Sequence, residues 1–202
     1  MRESARPVAS PDDDNVIVSA CESRVFNIAR NAKLRDKFWI KGQPYSVVDM
    51  LGNDPLCEQF EGATVYQAFL SALSYHRWHA PISGRVRRCF VRDGTYFSEP
   101  LFESPAEGGD IDTKGISVAQ GYISALATRA IIFIEADNPA IGLVAFAAWE
   151  WTRSALARSR WRRGSISGRA TRSACSTLAD RRTVSCFGRA SRSAGFPRSG
   201  GR

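Results

Sequence analysis

The sequence predicts an α+β fold in which strands dominate. Three observations predict it. Short apolar runs rich in β-branched residues recur between clusters of turn-forming residues. The longest of these, TRAIIFIEADNPAIGLVAFAA (128–148), reads as two strands joined through Asp137-Asn138-Pro139. One stretch alone, PYSVVDMLG (44–52), carries both a helix start signal, Ser46, and a stop signal, Gly52.

Taken in order, NVIVSACESRVFN (15–27) alternates well enough for a strand pair, or for one long strand with an irregularity. DKFWIKG (36–42) reads as a further short strand, and PYSVVDMLG follows as a brief helix. Periodicity leaves ATVYQAFLSAL (63–73) open between helix and strand. Pro81 and Gly84 then break the chain, and RVRRCFVRDGTYF (85–97) suggests a hairpin about Asp93-Gly94. Residues 103–117, rich in Glu, Asp and Gly, read as an exposed loop, after which the 128–148 hairpin closes the series.

With 44% hydrophobic residues the chain has enough apolar material for one core. Its start, MRESARPVASPDDD, holds no apolar stretch of signal-peptide length, and the run AIGLVAFAAW (140–149) is too short to span a bilayer. A cytoplasmic protein without a membrane anchor is expected. The five cysteines are scattered and odd in number, with no CxxC pair, which argues against a disulfide framework and against structural zinc.

The net charge of +8 is unevenly placed. Residues 1–148 carry 15 Lys+Arg against 18 Asp+Glu, whereas 149–202 carry 13 against 2, every one of the 13 being arginine and mixed with 10 serines. The composition therefore breaks at Ala148, dividing a domain (1–148) from an Arg/Ser-rich tail (149–202) expected to be poorly ordered. Such a tail, with Trp149, Trp151 and Trp161, is a rival basis for function, gripping nucleic acid through phosphate contacts and stacking. Its lack of lysine argues against that, and no nucleic-acid partner is expected.

The only two histidines, His76 and His79, fall in SYHRWHAPISG (74–84). Imidazole exchanges protons near neutral pH, so the pair reads as part of a reaction centre. The plainer alternative is two half-buried rings hydrogen-bonded to backbone. Extended structure puts residues three apart on opposite faces, and a third histidine or a cysteine at ligand spacing is missing, so no metal is expected.

GATVYQAFLSALSYHRWHAPISGRV, DGTYFSEPLF and ATRAIIFIEADNPAIGLVAF together resemble the phosphatidylserine decarboxylase family, in particular its soluble fungal branch, which includes tryptophan decarboxylases. The likeness runs over most of residues 6–148, and Tyr-His-Arg-x-His-x-Pro is its most specific motif. The resemblance implies a β-rich decarboxylase-like domain and a pyruvoyl enzyme. In that family a serine of a Gly-Ser-Thr motif cuts its own backbone and becomes a ketone, which takes up the substrate amine and accepts the electrons released with carbon dioxide. By the same likeness His79 matches the base for self-cleavage, and His76 the histidine of the decarboxylation step. Glu22, in VSACES, stands where the family has an aspartate that orients the base. Lys41 and Tyr45 match segments tied to the fold. The implied activity is conversion of phosphatidylserine to phosphatidylethanolamine in phospholipid biosynthesis, with peripheral membrane contact. The alternative is decarboxylation of an aromatic amino acid such as tryptophan. Arg77 and Arg129 could meet a carboxylate or phosphate, but exposed arginines are mostly solvated charges and neither is taken as a site residue; self-association is left open.

Gly-Ser-Thr occurs nowhere in the chain, so by resemblance the pyruvoyl group is not formable from it. Codon degeneracy offers a reason. Trp149-Glu150-Trp151-Thr152 must be encoded TGG-GAR-TGG-ACN, and reading one base earlier gives NTG-GGA-RTG-GAC, which permits Val-Gly-Met-Asp, close to what the family carries after this hairpin. The same shift over Cys175 to Val184 permits Met-Phe-His-Phe-Gly-Gly-Ser-Thr-His-Cys, which contains the missing motif. One base lost near the codon of Ala148 is therefore expected, leaving the last 54 residues out of frame. The resemblance also makes the chain a fragment at both ends, with apolar hairpin surface at 130–147 left uncovered.

Overall fold

Residues 128–148 form the hairpin that their sequence encodes. The computed structural model describes residues 7–35, 46–70, 79–95, 126–149, 165–166 and 182–188. In it β4 (Arg129–Ala136) and β5 (Leu143–Trp149) pair antiparallel, from Arg129 opposite Trp149 to Glu135 opposite Leu143. β-branched and aromatic residues suit a pleated surface packed on both sides, and here both sides are packed. Ala130, Ile132 and Ile134 enter one core cluster with Val144, Phe146 and Ala148. Ile131 and Phe133 enter a second cluster with Ala145, Ala147 and Trp149. The hairpin surface expected to lie uncovered is thus buried, because residues from earlier in the chain cover each face.

The remaining strands are β1 (Arg24–Ala32), β2 (Ala63–Leu70), β3 (Gly84–Arg92), β6 (Ser165–Ile166) and β7 (Arg182–Gly188), in the spatial order β1-β2-β7-β5-β4-β3-β6. All neighbours run antiparallel. ATVYQAFLSAL resolves as strand through Leu70, its Val, Tyr and Phe favouring that state. The second arm of the hairpin expected about Asp93-Gly94 lies, beyond Thr95, outside the described residues. β3 pairs with β4, Gly84 opposite Ala136 and Arg92 opposite Arg129, and Thr95 forms an isolated bridge to Ala127.

Helix among the described residues is confined to α1 (Val47–Met50) and a 3-10 helix (Pro55–Phe60), so the fold is β-rich and the helical half of an α+β label is slight. The helix signals nonetheless hold. Ser46 caps α1, its Oγ accepting from Asp49 N at 3.1 Å and donating to the Asp49 carboxylate at 2.6 Å. Gly52 follows at φ +71°, the left-handed position that glycine tolerates after a helix. Asp54 caps the 3-10 helix, its Oδ1 accepting from Leu56 N at 2.9 Å. Its Oδ2 lies 3.0 Å from Arg88 Nε, a contact of charge rather than an aligned hydrogen bond. This layer covers one face of the sheet through Val47, Met50, Leu51, Cys57 and Phe60.

Within 149–202 the structure describes Trp149, at the end of β5, and the strands β6 and β7. β7 sits between β2 and β5, with Arg182–Gly188 opposite Leu70–Thr64 and Val184–Gly188 opposite Ala148–Val144. Main-chain ladders read the backbone rather than the side chains, and RTVSCFG offers Thr, Val, Cys and Phe, all compatible with a strand. The expected strand at 36–42 and the expected loop at 103–117 lie outside the described residues.

Candidate active site

The second face of the sheet is covered by two short extended segments that meet each other. Val18 N donates to Pro81 O at 3.0 Å and His79 N donates to Ala20 O at 2.8 Å, an antiparallel pairing that brings 18–20 against 79–81. Ile17, Ala20, Cys21, Ala80 and Ile82 pack from these segments onto Val86, Ile132, Ile134 and Phe146. Apolar burial therefore fixes the stretch that carries His79. The β4–β5 turn clamps both segments at their far end. Asn138 Nδ2 donates to Asn15 Oδ1 at 2.9 Å and Asp14 O at 3.2 Å, and Asp137 N donates to Ser83 O at 3.1 Å.

Beyond Ala20 the chain bends through residues 20–22 before entering β1 at Arg24. Glu22 leaves from this bend and is exposed, whereas Cys21 beside it is buried. Glu22 thus lies two residues past the carbonyl that accepts from His79, so the backbone brings the expected acid and base to one corner. His76, Arg77, Lys41 and Tyr45 lie outside the described residues.

Arg129 is placed elsewhere. It is 3% exposed and donates through Nε to Met50 O at 2.8 Å, through Nη1 to Ala127 O at 2.7 Å and through Nη2 to Asp49 O. Burial, and then the Arg92 charge, push its pKa down to about 10. It is a structural cation tying the end of α1 to β4, with its donors taken up by main-chain oxygens. Burial likewise pushes the Cys57 thiol up to about 11, which keeps it protonated and unreactive at neutral pH. Among the described residues no group of three or more His, Cys, Asp or Glu side chains could hold a metal ion, and no helix is long and apolar enough to cross a membrane.

Sequence reasoning missed Ser19 and Ser23. Both hydroxyls donate to the carbonyl oxygen of Cys21, at 2.7 and 3.4 Å. Their spacing about the bend was the available signal, a serine on each side of the residue before Glu22.

The ends of three strands gather at the same corner. Phe69 of β2 lies opposite Arg24, the first residue of β1, and Leu70 lies opposite Arg182, the first residue of β7. The residue preceding β7 in sequence is Arg181, which cannot supply a ketone by self-cleavage. The residues present therefore do not fit a pyruvoyl group.

The family model described as phosphatidylserine decarboxylase matches residues 1–152, and the chain belongs to that family. It is 42% identical to decarboxylase iboD of Amanita muscaria over 154 residues, covering 73% of this chain and 44% of that one. It is 38% identical to the L-tryptophan decarboxylase of Psilocybe cyanescens over 146 residues, 71% of this chain and 33% of that one. Against the phosphatidylserine decarboxylase proenzyme of Bacillus thuringiensis the identity is 33% over 104 residues, 46% of this chain and 40% of that one. The chain thus spans less than half the length of these relatives.

Proposed function

We propose that residues 1–148 come from a self-processing decarboxylase acting on an amine-bearing carboxylic acid, an aromatic amino acid such as tryptophan ahead of phosphatidylserine. The chain as it stands is inactive, because the residue that would become the ketone is missing. In the overall reaction the bond from the α-carbon to the carboxylate breaks, carbon dioxide leaves, and a proton takes its place. The order of substrates is supported by similarity. The matched part of a tryptophan decarboxylase covers 71% of this chain at 38% identity, against 46% at 33% for a bacterial phosphatidylserine decarboxylase.

The observation that carries this reading is the meeting of β1, β2 and β7 at the corner of Glu22 and His79. Read one base earlier, the codon of Arg182 permits threonine and that of Arg181 permits serine, so the missing Gly-Ser-Thr would run directly into β7. A hydroxyl entering the sheet at Leu70 would come to the strand ends beside which the acid and base leave the chain. In that setting His79 accepts the hydroxyl proton, an imidazole being half-protonated near neutral pH, and Glu22 steadies the resulting charge. His76 serves the later proton transfer. The soluble, cytoplasmic character expected from the sequence belongs to this reading, as does any contact with a membrane surface.

Inserting one base at the codon of Ala148 tests it. The restored protein is expected to appear on a denaturing gel as two pieces, to lose that cleavage in His79→Ala, and to release carbon dioxide from tryptophan faster than from phosphatidylserine. A restored protein that stays in one piece overturns the reading. So does a transcript that keeps the present frame together with tail peptides recovered from the native protein.

A further inference from the structure

Two hydroxyls converging on one oxygen is an unusual expenditure for a bend. Ser19 Oγ lies 2.7 Å and Ser23 Oγ 3.4 Å from the carbonyl oxygen of Cys21, Ser19 being exposed and Ser23 partly buried. A carbonyl oxygen has two lone pairs, and one donor from each side can occupy both. The Cys21 side chain is meanwhile held in the core, 8% exposed, against Ala20, Ala80 and Ile82. The peptide leading from Cys21 into Glu22 is therefore fixed at its side chain and at its oxygen. It stands at the junction between the segment bonded to His79 and the first residue of β1.

We infer that Ser19 and Ser23 are positioning residues for Glu22, locking the bend that sets its carboxylate relative to His79. This rests on the reading of Glu22 and His79 as acid and base. Without the two hydroxyls the Cys21–Glu22 peptide is held less firmly at its oxygen and turns more freely, which swings the Glu22 side chain while leaving the Ala20–His79 hydrogen bond in place. The device suits glutamate in particular. A longer acid has one more rotatable bond than aspartate, so the backbone that carries it must be held more firmly to define the position of its charge.

The two histidines make the test direct, since the full chain gives only two sets of imidazole resonances in a proton NMR titration, and His79→Gln assigns them. Glu22→Gln is expected to lower the His79 midpoint by about one pH unit, through loss of a nearby carboxylate. Ser19→Ala with Ser23→Ala is expected to lower it by at least half as much, and Ser19→Thr with Ser23→Thr, which keeps both hydroxyls, to return it toward the original. Arg24 at the start of β1, and Asp14 and Asp137 at the far end of the two segments, are the same in every variant and cancel from the comparison. Thermal unfolding of each variant separates a moved carboxylate from a loosened fold. If the double variant does not fold, the single ones serve, Ser19→Ala having the larger effect because its hydrogen bond is the shorter. A midpoint moved by Glu22→Gln but untouched by the serine variants overturns the positioning role alone. A midpoint that Glu22→Gln leaves in place overturns the acid and base pair, and this inference with it.

Discussion

Arg129 shows how far a residue's role can lie from its sequence neighbourhood. Its place before AIIFIEA reads as a charge at the mouth of a strand, free to meet a carboxylate or phosphate. Two of its three acceptors instead come from α1, 79 and 80 residues earlier. Nothing local encodes such a partner. Removing the guanidinium takes a donor from the buried carbonyls of Met50 and Ala127, each at a cost of about 1–3 kcal/mol before relaxation, while that of Asp49 still accepts from Gly52 N. Arg129→Met is therefore expected to destabilise by about 3 kcal/mol in urea unfolding, while Arg129→Lys recovers only part, because an ammonium cannot reproduce the planar fork. Arg85→Ala, on an exposed stretch of β3, is the control and is expected to change stability by no more than about 0.5 kcal/mol.

Elements were legible where their cause was local. α1 is framed by Ser46 and Gly52 within one turn of its ends, and β4–β5 closes through the turn residues between them. β3 was legible as a strand but not in its pairing, because its partner begins at Arg129, beyond 36 intervening residues from Asp93 to Thr128. Glu22 and His79 were singled out by resemblance to the family, but the pairing between residues 18–20 and 79–81 that brings their segments together is one that no local pattern announces. Gly84, read as a chain breaker, is in fact the first residue of β3 and sits against the opposite backbone. A Cβ there would lie 2.1 Å from Glu135 O and 2.9 Å from its carbonyl carbon. No side-chain rotation relieves a clash with main chain, so Gly84→Ala must shift β3 against β4. It is expected to cost at least about 2 kcal/mol and to raise amide hydrogen exchange first at Val86 and its partner Ile134.

At the scale of the whole molecule, the sheet is bridged by a segment the family match does not reach. The match ends at 152, and β7 begins at Arg182. Remove β7 and the order β1-β2-β7-β5-β4-β3-β6 falls into two separate ladders, β1-β2 and β5-β4-β3-β6. Composition sets the tail apart from the rest of the chain, and the slot between β2 and β5 takes up its heptad Arg182–Gly188. Codon arithmetic joins these facts. A codon's middle base largely decides whether its residue is apolar, and a shift by one base turns first bases into middle bases. Where Ser185 is encoded TCN it then reads NTC, which is Phe, Leu, Ile or Val; Cys186 reads NTG, which is Leu, Met or Val; and Phe187 reads YTT, which is Phe or Leu. In the earlier frame residues 185–187 would thus form an apolar run following Thr-His-Cys at 182–184. In the present frame the register sets Ser185 opposite Gln67 and Ala147, both buried. Ser185→Val restores one apolar position of that run without touching the frame elsewhere, and is expected to raise the free energy of urea unfolding by about 1 kcal/mol, short of the 1.5–3 kcal/mol of full side-chain burial. The same change at Ser199, outside any strand described, is expected to leave it unaltered. A loss of stability in Ser185→Val would mean that the slot was not shaped for the shifted reading, and the case for a displaced frame would then rest on the codons of Trp149 and Trp151 alone.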